Sequence, residues 1–107
     1  VRAEKKLLAA IIHRAVLDMC SKPIRQRLTL DAQHAMWFIF KENTIAQTYL
    51  DLLDMDIINF RRNLLKTMYS GNSMDTLSLN KRNFRFNYNQ YMADELKTAD
   101  KKWSVAA

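Results

Sequence analysis

Between Ile57 and Ser70 the chain carries Arg61, Arg62 and Lys66 and no acidic residue, with Asn59 and Asn63 set among them. These are the side chains of nucleic-acid recognition. An Asn amide can bond two edge atoms of adenine, and an Arg guanidinium two of guanine. A Lys ammonium on its flexible stem suits a phosphate. Farther on, Lys81, Arg82 and Arg85 add three cations. Residues 57–93 together hold six Lys or Arg and one Asp, a net +5, within a formal +6 for the whole chain. The preceding residues have the opposite sign: 43–56 carry Asp51, Asp54 and Asp56 and no Lys or Arg.

Other chemistries find less material. Metal sites need Cys or His pairs, and His13, His34 and Cys20 are too few and too scattered. His34 reads as a core or edge histidine on a nearly apolar helix. The three clustered Asp residues lack the Gly turn and trailing Glu of a calcium loop. No Gly-rich loop is present to cradle phosphates. The six Met residues read as gap-filling packing or loop positions. No enzyme activity, metal or cofactor is expected. The basic stretch has a plain structural reading too: a solvated face on an ordinary helical hairpin.

The elements that would position these residues follow from apolar spacing. Ala46, Tyr49, Leu50 and Leu53 recur at helical intervals, and so do Ile57, Phe60, Leu64 and Met68, with Leu65 alongside. The break between the two runs is Asp54-Met55-Asp56, and Asp56 is placed to cap the second helix. Arg61, Arg62, Lys66, Asn59 and Asn63 then fall opposite or beside the apolar side.

In those residues the chain resembles helix-turn-helix DNA-binding proteins. The family pattern runs Leu-Gly-Val-Ser, two free residues, then a polar, an apolar, two polar or basic residues and a Leu. Here it is met by Leu53-Asp54-Met55-Asp56, then Asn59, Phe60, Arg61, Arg62 and Leu64. The match covers about a quarter of the chain. Asp54 stands where the family carries Gly, and Leu50 where it carries a small Ala. The chain is also similar to short helix-turn-helix proteins common in bacteriophage genomes. The resemblance implies a helix-turn-helix over residues 44–69, whose second helix is a recognition helix lying in a DNA major groove. It also implies a phage transcription regulator or a DNA-packaging recognition subunit, working in the host cytoplasm.

The rest of the chain frames that pair. At 107 residues, 49% hydrophobic, with one Gly and one Pro, it is expected to be an all-α domain with one core. Cys20 stands alone, so no internal disulfide forms. No apolar run reaches the length of a membrane span, and a soluble intracellular protein is expected. A first helix is predicted over residues 2–20, ended by Pro23. Arg25 and Arg27 follow in a solvated connector or a phosphate clamp. A second helix over 30–41, apolar almost all round, is expected at the centre of the core, and Asn43 is expected to cap the next. Gly71 should stop the chain after the pair. Residues 72–83 read as a linker anchored by Leu77 and Leu79. Alternation of Phe84, Phe86 and Tyr88 with Arg85 and Asn87 predicts an extended aromatic strap over 81–91.

From Asn89 a final helix is expected. Its seam of Tyr88, Tyr91, Met92, Leu96 and Trp103 suits either a second copy of the chain or this chain's own core. The expected organisation is a helical domain over 1–70, then a linker, strap and assembly helix over 71–107. The expected partners are double-stranded DNA and a homo-oligomer. The alternative is a protein-interaction module, such as a small phage protein acting on a host factor. Asp51, Asp54 and Asp56 would then belong to the working surface.

Overall fold

The computed structural model describes residues 2–42, 44–70 and 80–106, the last nine by backbone alone. Its elements are all α-helices: α1 (Arg2–Met19), α2 (Leu30–Phe40), α3 (Ile45–Leu52), α4 (Ile57–Met68) and α5 (Lys81–Ala106). Asn43, Gly71, Leu77, Leu79 and the Trp103 side chain lie outside the described residues.

Each helix starts or stops where local chemistry dictates. Thr29 caps α2, its hydroxyl accepting the Ala32 N–H at 3.1 Å. The Thr44 hydroxyl turns away from α3 and donates to Phe38 O at 2.7 Å, tying α3 to the end of α2. The connector after α1 folds into a tight turn. Ile24 and Arg27 exchange two backbone hydrogen bonds of 3.0 Å. Arg25 (φ 52°) and Gln26 (φ 62°) between them are both left-handed, a conformation that costs a side chain with a Cβ about 1–2 kcal/mol.

The core forms where the apolar stripes meet. Met19, Met36, Ile39, Leu50, Met68 and Phe84 have no exposed surface. The strongest packing joins α1 to α2, and α5 reaches α1, α2 and α4. α2 is central but buries one face only, through Ala32, Ala35, Met36 and Ile39. Leu30, Trp37 and His34 are on its exposed side.

The extended strap over 81–91 is not what forms: these residues are the first turns of α5. Phe84, Tyr88 and Tyr91 satisfy helical spacing as well as Phe84, Phe86 and Tyr88 satisfy strand spacing. Packing selects the helix. Phe84 and Tyr88, one turn apart, stack at 5.9 Å, and the Phe40 ring lies 5.0 Å from Tyr88. Asn80 caps the new start by accepting the Asn83 N–H at 2.9 Å.

Two amides then fasten α5 to the end of α1. Asn87 is fully buried and donates to Met19 O and Ser21 O, each at 2.9 Å. Asn83 donates to Cys20 O at 3.2 Å. The last carbonyls of a helix lack partners within it, and these side chains supply them.

Candidate functional site

The α3–α4 hairpin is built by its turn. Asp54 is left-handed (φ 59°). Its N–H bonds Asp51 O at 3.0 Å, and the Met55 N–H bonds Leu50 O at 2.9 Å. That pair of bonds around a left-handed residue is the Schellman stop, usually given to Gly. Asp56 then starts α4, its carboxylate accepting the Asn59 N–H at 3.0 Å. The Asp54 carboxylate lies 3.7 Å from the Lys5 ammonium of α1.

Along α4 the side chains divide by direction, and some lie on two adjoining sides. Ile57 and Met68 are buried. Arg61 turns to the end of α2 and Tyr69 to α5. The Tyr69 hydroxyl lies 3.1 Å from Asn89 Oδ1, and its ring is 6.5 Å from that of Tyr88. On the opposite flank Asn59, Phe60, Asn63, Leu64 and Thr67 line an open apolar groove of about 580 Å³, whose other wall is Ala9, Ile12, His13 and Val16 of α1. Phe60 is therefore half-buried rather than sealed in the core. The outermost arc holds Ile58, Asn59, Arg62, Asn63 and Lys66, all exposed. Among the described residues, no side-chain hydrogen bond or ion pair engages these polar groups.

Two of the cations expected on the outside are used inside. Arg61 Nε donates to Ile39 O at 2.6 Å and its Nη2 to Lys41 O at 3.0 Å, which satisfies the end of α2. Lys81 is buried, and its ammonium donates to Ser70 Oγ at 3.0 Å, clasping the end of α4 to the start of α5. Arg61 supplies carbonyls at the end of α2 that lack helical partners, and Lys81 joins two consecutive helices through a side-chain hydroxyl. Arg82 is exposed and Arg85 half-buried on the first turns of α5. Arg25 and Arg27 are exposed on the α1–α2 turn.

The expected assembly seam also divides. Tyr91 is buried in this chain's core and Tyr88 sits in its aromatic cluster, because the helix begins at Lys81 and carries both inward. Burial pushes the Tyr91 hydroxyl up to about 12, helped by the charge and hydrogen bond of Glu95 and opposed by Arg61. Burial raises Tyr88 as well, with Tyr69 beside it. Met92 and Leu96 remain exposed.

The two asparagines and the buried lysine that hold α5 were not singled out as structural in the sequence. The available signal was Asn80, Asn83 and Asn87 at helical spacing.

Among the described residues no group of three or more His, Cys, Asp or Glu could hold a metal ion. No described helix is long and apolar enough to cross a membrane. Neither a protein-family model, nor a curated protein, nor a solved structure matches the chain.

Proposed function

We propose that this chain binds double-stranded DNA through the outer face of α4. The observation that carries the reading is the arc of Asn59, Arg62, Asn63 and Lys66, exposed and with no side-chain hydrogen bond or ion pair among the described residues, on a helix held by a four-residue turn. Asn59 and Arg62, one turn apart near the helix start, would read base edges, and exposed Ile58 beside them would meet a thymine methyl. Lys66, with Arg82 and Arg85 of α5, would hold phosphates. Gene regulation and DNA packaging share this step, and the resemblance to phage helix-turn-helix proteins suits both. Of the acids near the helix start, Asp56 caps the helix and Asp54 makes only an exposed contact with Lys5 at 3.7 Å; Asp51, Asp54 and Asp56 together weigh against DNA.

A gel-shift titration of mixed duplex DNA against salt tests the reading. Each neutralised phosphate contributes a slope of about −0.9 on log–log axes, so the four available cations give a slope between about −2 and −4. No binding at low salt, or a slope near zero, would overturn it.

One observation favours a second reading, a protein-interaction surface. Leu52, Met55 and Ile58 are exposed together at the hairpin tip, among Asp51, Asp54 and Asp56. If DNA binding fails, that acidic-rimmed apolar tip becomes the working surface.

A further inference from the structure

The groove beside α4 has two edges. Asn59 and Asn63 line it from α4, with Lys66 next to them on the same side of the helix. The facing edge belongs to α1. Arg2, Lys6, Ala9 and His13 fall three or four residues apart, so they share one stripe of that helix. Ala9 and His13 line the groove, and Arg2 and Lys6 carry the same stripe on to the start of α1. All four are exposed. Among the described residues, no side-chain hydrogen bond or ion pair engages Arg2 or Lys6.

α1 and α4 run side by side in the same direction. Lys5 lies 3.7 Å from Asp54, just before α4 begins. At the other end Asn87 of α5 holds Met19 O of α1, while Lys81 of α5 holds Ser70 just past α4. Arg2 and Lys6 therefore lie toward the start of α4, where Asn59 and Arg62 are proposed to read bases. A helix about 10–12 Å across fills a major groove about 12 Å wide, so a sugar–phosphate strand has to pass along each of its flanks. On one side of α4 stands α5 with Arg82 and Arg85. On the other is the groove, with α1 as its far wall.

The charge at this end needs such a wall. Asp51, Asp54 and Asp56 give the α3–α4 turn a local −3, whereas residues 2–6 carry Arg2, Lys5 and Lys6 against Glu4, a local +2. Glu4 stands two residues from both Arg2 and Lys6, which turns it about 200° around the helix and away from their edge. We infer that α1 is a second phosphate-binding element. The strand on the groove flank of α4 passes between the two helices, and Arg2 and Lys6 hold its phosphates from the far edge. Its sugars lie over the apolar lining of Ile12, Val16, Phe60 and Leu64. The inference rests on the DNA reading proposed above and adds the element that holds this flank. These contacts position the duplex and carry no sequence information.

Gel-shift titrations of the full chain with mixed duplex DNA against salt test it, with circular dichroism to monitor folding. Arg2→Ala and Lys6→Ala should each weaken binding to all duplexes alike and flatten the log–log slope by about 0.9. Ala9→Lys, on the same edge, should steepen it by about as much. Arg14→Ala is the control. It removes one positive charge from the side of α1 that faces α2, beside Asp31 and His34, and should leave the slope unchanged. A native protein that binds DNA, with slopes untouched by Arg2→Ala and Lys6→Ala, would overturn this inference and leave α4 as the DNA-binding helix. Equal flattening by Arg14→Ala would also overturn it, because net charge alone would then account for the effect. A native protein that binds no duplex at low salt overturns the DNA reading and this inference together.

Discussion

Arg61 and Arg62 are adjacent in sequence and opposite in use. A step of one residue turns a helix by about 100°, enough to take a guanidinium from solvent to the seam with a neighbouring helix. Arg61 bonds two carbonyls at the end of α2, while Arg62 points outward. Arg61→Ala strips those carbonyls and should lower stability by about 1–3 kcal/mol without changing which duplex is preferred. Arg62→Ala should leave the melting temperature unchanged and reduce discrimination between duplexes by about 1–3 kcal/mol. Thermal melts and competition gel shifts on the two variants measure both effects. Equal loss of stability in the two would mean that Arg62 also serves the fold.

At the scale of the element, the α3–α4 turn was legible because everything that shapes it lies within a few residues. Asp54 takes the left-handed backbone of the turn, and Asp56 caps α4, as local spacing requires. Asp54→Gly removes the cost of a Cβ at φ 59° and gives up only an exposed pair with Lys5, which is worth little. The Gly variant should match or exceed the native protein in urea unfolding, and Asp54→Ala should fall below the Gly variant by about 1 kcal/mol. An Ala variant as stable as the Gly variant would mean that the turn relaxes away from the left-handed conformation. The start of α5 was not legible in the same way. Phe84, Phe86, Tyr88 and Tyr91 fit two periods at once. The choice between them came from Phe40, more than forty residues earlier, and from the carbonyls at the end of α1 that Asn83 and Asn87 satisfy.

On the scale of the whole molecule, α5 packs against α1, α2 and α4, and Tyr91 is buried on its inward side. Its hydroxyl titrates at about 12 when folded against 10.0 ordinarily, so between those values the folded chain holds a proton that the unfolded chain has lost. The stability this provides is complete below pH 10.0 and fades as pH rises toward 12. Urea midpoints should therefore fall across that window. Tyr91→Phe should flatten the fall, leaving the smaller part due to Tyr88, which is also raised. A Tyr91→Phe profile that overlays the native one would show that another group governs alkaline unfolding.

The sequence by itself determined the all-α class, the α3–α4 break, its cap and the apolar stripes. Each of these depends on backbone preference and on side chains within about one turn, which any reader of the chain has in hand. Tertiary structure decided which of the basic residues remain available, whether the aromatic run is strand or helix, and that Tyr91 faces inward. Those outcomes depend on which helix end or ring lies across from a residue, and that is set only when distant segments pack. Arg61 and Lys81 read as surface cations until the carbonyls at the end of α2 and the Ser70 hydroxyl after α4 are placed beside them.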